Sequence, residues 1–190
     1  MKREKIADAL DQIIPVDIYG NCGKFNCSVS KSYAKTGVDC RLEVSTQYKF
    51  YLAFENSHCE DYVTEKFFDT LLTDMVPIVY GGANYSANFP PKSFIDIRDF
   101  DSVQALADHI NYLDENITAY MEYFEWRKDY WVQNNRFVTG FCQICQKLLE
   151  VGNTKESKIV EDVFDWWASS AYKTGGRACR KNIPFSDLDI

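Results

Sequence analysis

Two apolar runs, Lys49–Glu55 ("KFYLAFE") and Val76–Gly82 ("VPIVYGG"), most constrain this chain. Neither alternates apolar with polar residues, as a strand with one wet face must. Each therefore reads as a strand buried on both faces, the habit of a parallel sheet covered by helices. Between them Val63, Phe67 and Leu71 recur at helical spacing, with Phe68 and Leu72 widening the stripe. Strand, helix and strand in succession make the unit from which such sheets are built.

The flanking segments extend this pattern. Ile6, Leu10, Ile13 and Ile14 predict an amphipathic helix that stops at Pro15. "PVDIYG" (15–20) reads as a short strand ending in glycine, and 21–47 as a polar loop pinned by cysteines. "SFIDI" is a further strand, and "SVQALADHINYLDEN" a helix capped by Ser102. Residues 117–150 read as aromatic-rich helices, and 151–190 as a tail with a short helix after a polar break. Taken in order, these elements give an α/β fold with a mostly parallel sheet. Ligands of such sheets sit where strands end and loops enter helices.

The 48–66 stretch, "YKFYLAFENSHCEDYVTEK", places Glu55, Asn56, Ser57, His58, Glu60, Asp61, Glu65 and Lys66 at that end. Lys66 falls near the start of its helix, and Arg3 near the start of the first one. A cation there opposes the helix dipole unless an anion is bound, although both could equally be solvated surface charges. Glu65 could orient Lys66, accept from ribose hydroxyls, or simply face solvent. Tyr62, one turn before Lys66, would share its side, whereas Tyr51 on the strand suits the core. Asn56 could cap the turn, as could Ser57, whose spacing to Glu60 matches a capping box. No role follows for His58.

Net charge of −7 argues against nucleic acid and anionic membranes as partners. No run reaches the ~20 apolar residues of a membrane span, and residues 1–14 read as a charged helix, with the chain starting as though a domain preceded it. No Asp-x-Asp dyad follows an apolar strand, and no glycine-rich phosphate loop occurs. A bound nucleotide diphosphate would be neutralised by Arg, Lys and helix ends without metal. Cysteines at 22, 27, 40, 59, 142, 145 and 179, with sequons at Asn26, Asn84 and Asn116, favour an oxidising, secretory setting. Disulfides are the expected fate of these cysteines. For Cys142 and Cys145, a zinc pair or a redox motif fits less well than structural bridges to other parts of the protein, and with those partners missing the two are expected to be free or mispaired.

The span "YKFYLAFENS…DYVTEKFF…VPIVYGG" closely resembles the signature of the α1,3-fucosyltransferases, which use GDP-fucose to fucosylate glycans. "VDIYGNCG", "SFIDIRDF", "YFEWRKDY" and "FCQICQKLL" continue the likeness in order, over residues 3–150. "AFENS" and "EKFF" are most similar to invertebrate and plant enzymes acting on the asparagine-linked core N-acetylglucosamine. Lewis-type enzymes more often carry Ser at the position of Ala53.

The resemblance implies the Rossmann-like C-terminal, donor-binding half of a metal-independent GT-B glycosyltransferase, with residues 1–150 as that domain and 151–190 as a tail. It implies donor contacts from Arg3, Tyr51, Asn56, Tyr62, Glu65 and Lys66, with Arg3 and Lys66 on the pyrophosphate. The family's catalytic carboxylate belongs to an N-terminal acceptor half, so no catalytic residue is assigned here, and neither Glu55 nor Asp61 is put in its place. The expected partners are GDP-fucose, a glycoprotein N-glycan acceptor and that absent half. The expected location is the Golgi lumen, within a single-pass type II membrane protein. The alternative is a GDP-sugar-binding module without catalysis.

Overall fold

In the computed structural model, which describes residues 2–20, 23–25, 40–133, 136–154, 161–162 and 179–180, the two apolar runs lie side by side. Strand β1 (Phe50–Phe54) pairs in parallel with β3 (Val76–Tyr80), and β3 pairs in parallel with β4 (Ile95–Asp96), giving the order β1-β3-β4. The two-residue β2 (His58–Cys59) pairs antiparallel with β5 (Cys179–Arg180) as a separate two-stranded sheet.

The two faces of the sheet follow from strand periodicity. Phe54, Ile78 and Tyr80 bury into one core with Ile6 and Leu10 of α1 (Lys2–Asp11) and Leu106, Ile110 and Leu113 of α5 (Val103–Glu115). Ala53 and Val79 face the other core, built on Phe67, Leu71, Tyr85 and Trp126. Every residue of β3 is buried, as the unbroken apolar run predicts. Pro77 is tolerated in this central strand for a geometric reason. Val76 donates its N–H to Lys49 O towards β1, so the nitrogen of Pro77 faces β4, whose pairing begins only at Ile78.

Short helices α2 (Cys40–Val44), α3 (Glu65–Phe68), α4 (Tyr85–Asn88) and α6 (Ile117–Met121) and the longer α7 (Arg136–Thr154) complete the described elements, with 3₁₀ segments at Thr70–Leu72, Ile97–Asp99 and Glu122–Lys128. Ser102 caps α5, accepting from Ala105 N–H at 3.0 Å. Two sequon asparagines also act as caps, Asn84 on α4 and Asn116 on α6. Asn26 lies outside the described residues.

Several expectations change. "PVDIYG" forms no strand. Asp11 Oδ1 accepts from Val16 N–H at 2.9 Å, and Gly20 turns the chain at φ 100°, leaving an isolated Tyr19–Phe25 bridge. The segment read as a loop over 21–47 contains α2. The helix expected over 63–72 is one turn, α3, followed by a 3₁₀ turn. Thr70 Oγ1 turns back onto Lys66 O at 2.6 Å, competing with the backbone donor that would extend the helix. Helix α7 continues past residue 150. Among the described residues no helix is long and apolar enough to cross a membrane.

Candidate functional site

The polar cluster lies where β1 ends. Glu55 N–H donates to Tyr80 O at 2.9 Å, carrying the β1–β3 ladder one residue beyond the strands. Residues 54–56 then separate two groups of charges that approach from opposite faces of the sheet. From the α1 face, the Arg3 guanidinium donates to Phe54 O at 3.3 Å and to Asn56 Oδ1. From the α3 face, Lys66 Nζ donates to Glu65 Oε1 at 3.2 Å and to Thr64 Oγ1 at 3.0 Å, with Glu55 Oε2 3.7 Å away.

Loop 57–63 packs back onto the end of β3, and two glycines permit it. A Cβ on Gly82 would come within 2.6 Å of His58 O and 2.5 Å of Cys59 O. One on Gly81 would meet Tyr85 Oη at 2.8 Å and Glu55 Cγ at 3.2 Å. The glycines that close the β3 run are therefore there for close backbone approach. Asp61 takes the left-handed conformation of a tight turn, φ 58°, which Asp accepts better than most residues. The His58 ring stacks edge-on against Tyr80, centroids 4.2 Å apart.

A second basic residue supports α3 from behind. Arg41, buried, donates to Glu65 O at 2.9 Å and to Asp69 Oδ2 at 2.8 Å, and its guanidinium lies 5.8 Å from the centre of the Tyr51 ring. Burial pushes the Glu65 carboxyl up, but its own backbone N–H, Lys66 and Arg41 outweigh that and hold it below the ordinary carboxylate range. Glu65 is thus an anion at neutral pH. On the third strand end, Arg98 grips Asp96 and donates to Ala83 O at 3.0 Å.

The structure brings Arg3 to Asn56 and Lys66 to Glu65, and it sets both pairs at the strand ends. It corrects the reason given for Lys66. Helix α3 is four residues long, so its dipole is slight. Glu55 already accepts the Thr64 N–H at its start, and two carboxylates flank the ammonium. Nor is Tyr62 a helical neighbour of Lys66. Its N–H closes a turn onto Cys59 O at 3.2 Å. Ser57 and Glu60 form no capping box, because β2 begins between them. Tyr51 is half-buried against the second core, and its ring lies under Arg41. Glu55 stood in the polar cluster but without a role, and Thr64, Arg41 and Arg98 were not singled out, since each is defined by a contact that only the folded chain makes.

The cysteine expectations divide. Cys142 and Cys145 are free and exposed, the state expected of them without their partners, and α7 has no other cysteine at hand among the described residues. Buried Cys59 stands opposite Cys179 in the β2–β5 register. Cys22 and Cys27 lie outside the described residues, as does the side chain of Cys40. A cavity of about 580 Å³ opens elsewhere, lined by Phe68, Leu72, Phe89, Trp126 and Trp131 beside α7. It is away from the strand ends and holds none of the polar cluster.

Residues 1–166 match the family description "Glycosyltransferase family 10 (fucosyltransferase) C-term". The chain belongs to this family. It is 38% identical over 169 residues to alpha-(1,3)-fucosyltransferase C of Drosophila melanogaster, covering 89% of this chain and 38% of that protein. It is 38% identical over 183 residues to alpha-(1,3)-fucosyltransferase fut-1 of Caenorhabditis elegans, covering 92% of this chain and 40% of that one. A crystal structure of an alpha1,3-fucosyltransferase with GDP-fucose superposes with a TM-score of 0.57 at 29% identity, over 85% of this chain and 46% of the other. The parallel sheet between helical layers is thus the Rossmann-like fold of a GT-B glycosyltransferase half. The family 10 chain spans about two fifths of the length of the curated relatives it matches.

Proposed function

We propose that this chain is the donor-binding half of an α1,3-fucosyltransferase that moves L-fucose from GDP-fucose to N-acetylglucosamine of a glycoprotein glycan. The observation that carries the reading is the convergence of Arg3–Asn56 and Lys66–Glu65 on the two sides of the β1 end. That is where a parallel sheet binds ligands, and an alpha1,3-fucosyltransferase solved with GDP-fucose shares the fold over 85% of this chain. Arg3 and Lys66 engage the diphosphate, so binding needs no metal. Asn56, Glu65, Tyr51 and Tyr62 complete the donor contacts.

In the reaction an acceptor hydroxyl forms the new bond to the anomeric carbon while the bond to the β-phosphate oxygen breaks. GDP leaves with the electron pair, and the two cations stabilise the charge growing on it. The proton goes to a base on the acceptor half. Glu55 cannot serve as that base, being 1% exposed and bonded to Thr64.

Among the described residues, one apolar helix face lies exposed, which supports a second half. Phe141, Ile144, Leu148 and Leu149 follow helical spacing along α7, and all are exposed. The relatives carry more than half of their length beyond the matched region. The setting is the Golgi lumen, in a type II membrane protein whose disulfides include Cys59. Calorimetry with GDP tests the reading. Lys66→Ala should lose tenfold or more in affinity, since a charge-assisted hydrogen bond contributes roughly 1.5–3 kcal/mol. A chelator should change nothing, and unaltered affinity in Lys66→Ala would refute the assignment.

A further inference from the structure

Glu55 ends β1 pointing inward, with a side chain fully screened from solvent. A carboxylate so far from water is tolerated only when its oxygens are bonded. Both are, and both to one residue. Oε1 accepts from the backbone N–H of Thr64 at 2.8 Å, and Oε2 from Thr64 Oγ1 at 2.8 Å. That hydroxyl, having given its proton to Glu55, presents its lone pairs to Lys66 Nζ at 3.0 Å. A chain of defined polarity thus runs from carboxylate to hydroxyl to ammonium.

Lys66 has a second partner, Glu65, at 3.2 Å. The two carboxylates differ in exposure: the Glu65 side chain is 44% exposed and that of Glu55 is 0%. An arriving anion competes with the carboxylate that water already reaches. It displaces Glu65 and leaves the buried Glu55–Thr64 pair in place. We infer that Glu55 is a positioning residue, holding the Lys66 ammonium through Thr64 at the place where the donor diphosphate binds, while Glu65 is the partner that the donor replaces. This rests on the donor-binding reading above.

A lysine held on one side by a fixed acceptor keeps a single rotamer when the exposed partner leaves. Without the acceptor, its flexible four-carbon stem must be ordered by the ligand itself. The contribution of Glu55 is therefore to phosphate affinity and not to nucleoside affinity. This distinguishes it from a residue that only holds the loop together.

The test titrates GDP and guanosine separately into the full chain by calorimetry, with thermal melts on each variant. Thr64→Val should weaken GDP roughly tenfold and leave guanosine unchanged, and Thr64→Ser should restore the GDP value. Glu55→Gln should lower GDP affinity in the same selective way. If Glu55→Gln fails to fold, the Val and Ser variants at 64 decide. Equal losses for both ligands, in step with a lower melting temperature, would show a merely structural role and overturn the inference. Wild-type affinity in Thr64→Val would overturn it too. Failure of the unaltered chain to bind GDP would instead remove the donor-binding reading, and the positioning role with it.

Discussion

Arg3 and Asn56 meet across 53 residues of sequence, the guanidinium of the first helix donating to the amide oxygen that follows the first strand. The contact ties α1 to the strand end and holds a cation there while Phe54 O takes a second donor from the same nitrogen at 3.3 Å. Arg3→Ala should weaken GDP binding by tenfold or more, on the ~1.5–3 kcal/mol scale of charged hydrogen bonds. Arg3→Lys should recover part of it, a point charge lacking the forked geometry. Calorimetry on the folded variants decides, and full affinity in Arg3→Ala would exclude Arg3 from the site.

Arg41 is a matter of stability. It and Asp69 form an ion pair whose side chains are 9% and 14% exposed. Removing one partner of such a pair leaves an uncompensated charge at a cost of about 3–5 kcal/mol. Arg41→Ala should lower the melting temperature by roughly 6–20 °C for a domain of this size. A melt within 2 °C or so of wild type would contradict this.

Tyr85 and Gly81 should show coupling. Among the described residues the Tyr85 hydroxyl is buried without a hydrogen-bond partner, and burial, then the charges of Glu55 and Asp96, push its ionisation well above the ordinary tyrosine value. Tyr85→Phe should stabilise the chain by about 1 kcal/mol, since no bond is lost and a desolvated hydroxyl is removed. Gly81→Ala should destabilise it, because the added methyl would stand 2.8 Å from that hydroxyl. The double variant should recover part of the loss. Strictly additive unfolding free energies would argue against the contact.

His109 supplies a pH dependence. Burial lowers its pKa from the ordinary value of 6.5, with Tyr123 Oη 3.0 Å from Nε2 and the rings of Phe100 and Tyr112 nearby. The unfolded chain then takes the proton first. The stability this residue contributes is complete above pH 6.5 and falls as pH drops through the lowered folded value. Melts from pH 8 to pH 5 should decline, and less steeply in His109→Gln. Equal slopes would refute the assignment.

Cys59 and Cys179 should be joined when the protein is made in an oxidising compartment, since the strand register sets them opposite one another. Such a bridge would close a long loop and contribute about 2–5 kcal/mol. Alkylation without reduction should label Cys142 and Cys145, the exposed free thiols, and mass mapping should find the 59–179 peptide pair. Labelling of Cys59 under these conditions would disprove the bridge.

Finally, the chain alone should not transfer fucose. On the reading proposed above, the acceptor-side base and the surface that orients the acceptor would come from a second half, and orientation by itself can contribute roughly 7–11 kcal/mol to a barrier. Offering GDP-fucose with core-type and lactosamine-type acceptors to the purified chain tests this. Robust transfer would place a base among its own residues.

The sequence by itself determined what depends on local pattern. The unbroken apolar runs of β1 and β3 pointed to strands covered by helices, and the Ile6–Leu10 stripe to an amphipathic helix. The polar residues after Phe54 had to fall at a strand end. Residues 15–20 misled because a β-like composition cannot pair without a neighbouring strand, and Asp11 and Gly20 direct that backbone elsewhere. The tertiary structure alone decided which charges act together. Glu55, Glu60 and Asp61 are alike in sequence, yet only Glu55 is buried against Thr64, because β1 delivers its side chain inward beneath Gly81. Arg41 and Arg3 became supports of the site through partners 28 and 53 residues away. Burial and distance set the strength of a charge–charge contact, and both exist only once the chain has folded.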